Sequence, residues 1–584
     1  MTTSKHYDLL NRLTAITNTP SGSGVPAIGF AYEYNSANQR TSVTNVDGSF
    51  WSYAYDSLGQ VISGRKFWSD GTPVLGQQFD NTFDDIGNRK SAVTGGDQWG
   101  ANKRYQNYTA NLLNQYTSRT VPGFVDIVGT ANSNATVTLW SADSLSAWVP
   151  TTRQGEYFRG ELAFDNQTSP IWTTITNLAV LQQGTNADLL TKATGNVFLP
   201  QTPEQFAYDS DGNLTNDGRW RFTWDGENRL VGLESLPGAP EGSKRRLTFQ
   251  YDPQGRRILK AVQAWTNSTW TIILSNRFVY DGWNLIAELN ATNNAVVRSY
   301  VWGLDLSGSE QGAGGVGGLL TISDQQSATH FVAFDGNGNV AALVNATDGT
   351  ASANYEYGPF GELLRATGPM ATLNPFGFST KYRDSETGFL YYGYRYYDPA
   401  TGRWLNRDLI GEKGGLHPYA FVRNDAVSRL DVAGLFAWPV IKLACGKCGP
   451  DVTVGLSKTL EEVEKVFNDD NNPLFAGPGP IIGPIPAPDF YRRQACMVLY
   501  TPVAGVGSPA NAWDIIPLAT FGGVGTLVNE DLPKGITFAD LGTKSCARTV
   551  TYKGMCVWAG SLNYVLFGKL NKLCHERFAN QPFT

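Results

Sequence analysis

The sequence predicts a mainly β protein: β-hairpins repeated over most of the chain, followed by a separate, small α+β C-terminal domain. Three observations predict it. A turn motif of an aromatic residue followed by Asp recurs through the first 440 residues. Aromatic residues make up 12% of the chain and stand beside 63 glycines, a mixture that favours strands joined by tight turns over helices. All six cysteines (Cys445, Cys448, Cys496, Cys546, Cys556 and Cys574) lie after residue 440, which sets two units with different chemical needs in one chain.

The repeat is legible as Tyr55-Asp56-Ser-Leu-Gly59-Gln60, Phe83-Asp84-Asp-Ile-Gly87-Asn88 and Tyr208-Asp209-Ser-Asp-Gly212-Asn213. It returns as Trp224-Asp225-Gly-Glu-Asn228-Arg229, Tyr251-Asp252-Pro-Gln-Gly255-Arg256 and Phe334-Asp335-Gly-Asn-Gly338-Asn339. Degenerate copies sit at Tyr7-Asp8, Tyr34-Asn35, Tyr280-Asp281 and Tyr357-Gly358. The aromatic ends a strand and packs inward. The Asp carboxylate folds onto backbone N–H groups two residues on and sets the turn. Gly supplies the positive φ, and a second strand leads away. One hairpin cannot bury its own face, so the copies must stack into a continuous sheet.

This pattern resembles the Rhs/YD-repeat family, which includes the C components of bacterial toxin complexes and the teneurins. The resemblance covers about residues 1–120 and 201–373 as repeats. It implies a spiral of β-hairpins wound into a hollow shell around a passenger. Ten copies are few for a whole shell, so the chain is expected to be the closing part of one. The start, Met1-Thr-Thr-Ser-Lys-His-Tyr-Asp8, lies inside a repeat copy and has no apolar signal-peptide core. Residues 121–200 carry no Tyr-Asp unit but do alternate, as in Asn134–Trp140 and Ile171–Ile175, and read as a small β-sandwich insertion.

Residues 374–435 resemble the Rhs-repeat-associated core domain. They contain Asn374-Pro-Phe-Gly-Phe, Gly388-Phe-Leu-Tyr-Tyr-Gly-Tyr-Arg-Tyr-Tyr-Asp398-Pro399, Gly402-Arg-Trp-Leu-Asn-Arg-Asp408 and Asp431-Val-Ala-Gly434-Leu435. The resemblance implies a self-cleaving, aspartic-protease-like core that cuts after the closing Gly-Leu. Asp408 and Asp431 are then the catalytic pair, and Leu435-Phe436 is the bond cut. Two carboxylates brought close share a proton, so one activates water while the other protonates the peptide group. Arg395, Arg403 and Arg407 are candidates to orient a carboxylate or the scissile carbonyl. Two departures bear on this. The family's Asp-Pro turns are here Asp408-Leu409 and Asp431-Val432, so the carboxylates remain without the rigid prolines. Asp398 serves as a repeat-turn residue or as an alternative carboxylate.

The segment 436–584 is the variable, Cys-containing payload that the resemblance implies, commonly a toxin. Helices are expected from Ser457 and from Ser561 to about Phe578. Its six cysteines read as disulfides in an exported passenger; zinc held by Cys445, Cys448 and others is the alternative, and no other cofactor is expected. His575, Asp514 and Asp451 are its candidate acid–base residues, and a Cys574–His575 dyad is disfavoured because neighbours on a helix diverge by about 100°. A net charge of -6 with 17% charged residues does not indicate nucleic acid over the whole chain. No run of about 18 apolar residues is present, so no membrane span is expected. The implied setting is a secreted or surface-exposed protein delivered to a target cell. Its partners would be the payload held in cis, a cognate immunity protein, and an N-terminal shell or delivery component. The alternative is a surface adhesion protein with a disulfide-rich tail and no cleavage.

Overall fold

The structure, a computed structural model, describes residues 1–435 apart from 23, 326 and 327, with short pieces beyond (437–439, 461, 465, 468, 549–552 and 555–558). The chain divides into two units, Met1–Lys442 and Leu443–Thr584. In the second unit Cys556 lies on the strand Met555–Trp558. The other five cysteines, His575, Asp514, Asp451 and the two expected helices lie outside the described residues, apart from single helical positions at 461, 465 and 468.

The first unit is built of antiparallel strands. One sheet has eleven, running from Thr2–Tyr7 to Tyr116–Arg119 and closing on Glu204–Gln205; a second has fourteen, from Ala207–Tyr208 to Leu363–Thr367. Each strand pairs with its neighbour in sequence, as stacked hairpins require. Period-two patterning buries one face: in Trp220–Trp224 the residues Trp220 and Phe222 are buried while Arg221 and Thr223 are exposed.

Hairpin turns along both large sheets share one hydrogen-bond set. In each, Oδ1 of the Asp or Asn accepts the amide N–H groups two and four residues on, as Asp56 does from Leu58 and Gln60 at 2.9 Å each. The same pattern holds at Asp8, Asn35, Asp84, Asn111, Asp209, Asp225, Asp252 and Asp335. The third residue after the Asp always has positive φ, whether Gly (Gly255, +82°) or Asn (Asn228, +58°). In the Asp copies named the fourth returns a side chain to the carboxylate, as Arg256 Nε does to Asp252 Oδ2 at 2.7 Å; at Asn35 and Asn111 the Asn amide instead donates to Gln39 and Gln115. The motif's aromatic does more than pack. Tyr34, Tyr55, Tyr251, Tyr280 and Tyr357 donate their hydroxyls to the carbonyls of Leu13, Arg40, Leu230, Arg257 and Val340. Each of these carbonyls lies one residue beyond a turn, as Arg40 lies beyond the Asn35 turn. Tyr thus stitches one repeat to the last, which Phe cannot do.

Residues between Tyr116–Arg119 and Glu204–Gln205 form two small sheets, of three and four strands. They enclose their own core of Val137, Leu139, Phe158, Leu162 and Ile175. The two large sheets meet at a seam. Lys66 ion-pairs with Glu356, Asn18 Nδ2 donates to Phe334 O (2.9 Å), and Arg40 contacts Asn337 and Gly336 O. The early strands of the first sheet therefore contact the late strands of the second, and the two sheets curl round onto each other.

Residues 376–430 lie against both sheets as a plug. Tyr397, Trp404 and Phe421 pack with Val61 of the first sheet and with Phe360. Phe389, Tyr391, Tyr396 and Leu405 pack with Phe222 and Leu247 of the second. The plug also reads the turns. Asn424 Nδ2 donates to Gln60 Oε1 and Gly87 O, Arg403 to Asn88 Oδ1 and Asn114 O, and Tyr419 to Gly212 O. Asn406, Tyr391, Thr380 and Tyr397 donate to the carbonyls of Asn228, Gly255, Gly338 and Phe360. Eight turns are held this way. The deepest tie is ionic: Asp384, buried, accepts from Arg257 at 2.7 Å and Lys260 at 2.8 Å. Burial alone would push its carboxyl up, but those two cations hold it low.

Candidate active site

Asp408, Asp431 and Arg395 are brought together by the plug. The strand Tyr396–Asp398 follows Arg395, the chain turns back through Arg403–Trp404 to Asp408, and Arg429–Asp431 returns beside them. Arg395 Nη2 lies 2.8 Å from Asp408 Oδ2 and 3.8 Å from Asp431 Oδ2. All three side chains are buried. Arg395 is clamped by more than charge: its guanidinium sits over the Trp404 ring, 4.2 Å from the centroid, and Nε donates to Gly434 O. Burial lowers its pKa to about 10, against the pull of Asp408 and Asp431, so it stays cationic at neutral pH.

Asp431 binds the backbone that follows it. Its Oδ1 accepts amide N–H bonds from Ala433 (3.1 Å), Gly434 (2.6 Å) and Leu435 (3.0 Å). This fixes the last residues before the candidate cut and makes good the lost proline, because a carboxylate with three amide donors rigidifies the turn. Gly434 adopts φ +84°, and a Cβ there would meet the Arg395 backbone N at 3.2 Å. Asp408 lies on the other side. A Cβ added at Gly414 would fall 2.5 Å from Asp408 Oδ2 and 3.2 Å from Leu435 O, so these two oxygens border one small space. Burial raises the Asp408 carboxyl above the ordinary carboxylate range, and Arg395 opposes it.

Arg407 is exposed, and Arg403 serves the turns at Asn88 and Asn114 rather than this site. Asp398 holds its own turn, accepting from the Ala400 amide and the Thr401 hydroxyl. Phe436 lies outside the described residues. One group is not foreseeable from the sequence. Lys381 Nζ donates to Val432 O at 2.7 Å and to Gly314 O at 3.1 Å. Burial lowers its pKa to about 8, with Asp431 and Asp305 pulling it back. The glycine-rich loop at 312–318 makes room: a Cβ on Gly314 would lie 2.2 Å from Val432 O. A run of glycines far upstream is the available signal, but nothing in sequence ties it to residue 432.

Residues 177–414 match the family model described as Teneurin YD-shell, and residues 34–65 match RHS Repeat. Among curated relatives, Double-stranded DNA deaminase toxin A of Burkholderia cenocepacia is 29% identical over 262 residues, covering 42% of this chain and 18% of that protein. The tRNA3(Ser)-specific nuclease WapA of Bacillus spizizenii is 28% identical over 249 residues, 41% of this chain and 9% of its own. Toxin subunit YenC1 of Yersinia entomophaga is 24% identical over 461 residues, 74% of this chain and 44% of its own. The chain thus spans less than half the length of these relatives. Among solved structures, TcdB2-TccC3 aligns over 74% of this chain and 21% of its own at 19% identity, with a TM-score of 0.33.

Proposed function

We propose, for a chain that is an Rhs/YD-repeat protein, that it is a polymorphic-toxin protein: its hairpin shell would hold a C-terminal effector, residues 436–584, and free it by cutting Leu435-Phe436. The observation that carries this reading is the convergence of Asp408, Asp431 and Arg395 on the backbone just before that bond. In the cut, one carboxylate takes a proton from water and the oxygen adds to the Leu435 carbonyl carbon. The other carboxyl gives its proton to the Phe436 nitrogen as the C–N bond breaks. Asp408, raised by burial and bordering Leu435 O, suits the acid; Asp431 suits the base. Asp431 adds to the rise of the Asp408 carboxyl, and Arg395 offsets the negative charge of the two. Positioning carries most of the work, since each chain is cut once.

The test is a denaturing gel of the freshly synthesised chain. Cleavage releases a piece of about 16 kDa, in proportion to 63.7 kDa for 584 residues. Asp408→Asn and Asp431→Asn should each abolish that piece while the core stays folded. An uncut wild-type chain rules out self-cleavage. The effector reading is tested separately, by growth arrest when residues 436–584 are sent to an oxidising compartment of a test bacterium.

A further inference from the structure

The β insertion contributes no strand to either large sheet. Its flanking strands pair directly, with Ser118 opposite Gln205, so the first sheet runs past it unbroken. One face of its four-stranded sheet covers the insertion's own core; the other is turned away from that core. Register places Trp140 opposite Thr176, Thr174 opposite Asn196, and Trp172 opposite Phe198. Residues 172, 174 and 176 share this outer face, each row about 7 Å from the next. At one end Trp140 and Trp148 are 37% and 52% exposed, with ring centroids 6.0 Å apart and planes inclined by 30°. At the other, Trp172 and Asn196 line a cavity of about 320 Å³ together with Arg219, Arg245 and Glu386.

The two guanidiniums are unspent. Arg219 sits between the rings of Phe198 and Trp220, 4.6 Å from each, and its Nε is buried without a hydrogen-bond partner. Arg245 donates only to backbone carbonyls, of Gly242 and Lys244. Neither lies within ion-pair distance of a carboxylate among the described residues, and Asp217 acts on Arg219 only through its charge at longer range. Nearby carboxylates are engaged elsewhere: Asp217 Oδ1 accepts the amides of Arg219 and Trp220, and Glu386 pairs with Lys260 at 2.6 Å. Two pre-placed, unpaired guanidiniums select an anionic group. Exposed indoles flanked by threonine and asparagine select flat, hydroxyl-rich rings. Stacked nucleobases are the rival occupant of the same indoles, and a single strand tests for them.

We propose that this face and cavity bind an acidic oligosaccharide, its anionic sugar on Arg219 and Arg245 and its following rings along Trp172, Trp140 and Trp148. The experiment measures binding of the full chain to fluorescent hyaluronan and heparin hexasaccharides, with chitohexaose and a decathymidine strand as controls. At least one acidic hexasaccharide should bind; binding of hyaluronan shows that a carboxylate suffices, and binding of heparin alone shows that a sulfate is needed. Arg219→Gln with Arg245→Gln should weaken it at least about tenfold, and Trp148→Ala about three- to tenfold. Chitohexaose should bind at least about tenfold less tightly, for want of the charged contact. Trp148 is exposed, so that variant decides the matter even if the arginine variant does not fold. The proposal is overturned if no acidic hexasaccharide binds, if Trp148→Ala binds as tightly as the unchanged chain, or if chitohexaose or decathymidine binds as tightly.

Discussion

At the scale of the residue, Asp217 stands out. It lies where the two large sheets join, with Glu204 close by, and burial pushes its carboxyl up to about 7, with Glu204 adding to the rise. A raised carboxyl makes the fold prefer the protonated form, so the stability it supports is fully present below the ordinary carboxylate pKa and is lost as pH rises through about 7. Asp217→Asn keeps the Oδ1 that accepts the Arg219 and Trp220 amides but removes the charge. Thermal unfolding should show the variant gaining melting temperature at pH 8 and little at pH 4; an equal gain at both would show that charge is not the cause. Residue identity is partly legible in the sequence at this scale. Arg395, Asp408 and Asp431 are reachable only through the resemblance of the core motif. Lys381 is not reachable, because its partners, Gly314 O and Val432 O, lie 67 and 51 residues away.

At the scale of the element, the hairpin turn repeats one arrangement with two ways to fail. Gly255 has φ +82° and open space where a Cβ would go, so Gly255→Ala should cost only backbone strain, about 1–2 kcal/mol. Gly338 has φ +72° and would set its Cβ 2.6 Å from Val316 Cγ1 and 2.9 Å from the Gly317 backbone, so Gly338→Ala should cost distinctly more. Paired urea titrations check the order, and equal costs would contradict the packing argument. The turns are the most legible part of the sequence because their bonds span four residues. Even so, the turn at Asn111 is hidden from the motif, since Ala110 stands where the aromatic should be and Asn114 supplies the positive φ. The sequence reads the motif tyrosines as inward packing alone. The acceptors of their hydroxyls lie in the preceding repeat, and a single motif copy does not contain them.

At the scale of the whole first unit, the seam is the critical contact. Burial would raise the Glu356 carboxyl, but Lys66 and Arg365 outweigh it and hold the carboxyl below its ordinary range. A lowered carboxyl stabilises above the ordinary glutamate pKa, and that contribution is lost as pH falls through the lowered value. Glu356→Gln leaves Lys66 buried without its charge partner and should cost about 3–5 kcal/mol at pH 7. Limited proteolysis of the strands near residue 66 should quicken at pH 7 and converge on wild type in acid; unchanged digestion at pH 7 would mean that the seam is held by packing instead. The seam is not legible in the sequence, and the plug is legible only as the core motif at 374–435, not in its contacts. Their bonds join residues hundreds of positions apart, as Asn424 and Gln60 do, and no local pattern encodes such pairings.

The plug's grip on eight turns bears on the order of synthesis. Strands emerge first and can pair one by one, but their turns keep loose partners until residues near 380–428 arrive. Those residues are followed in this sequence by 149 more beyond Leu435, which take about 7–30 s to translate at 5–20 residues per second. The last-made part of the core is therefore its keystone, and it can be set while the tail is still being spelled out. A core that can finish before its tail exists does not wait on that tail to close.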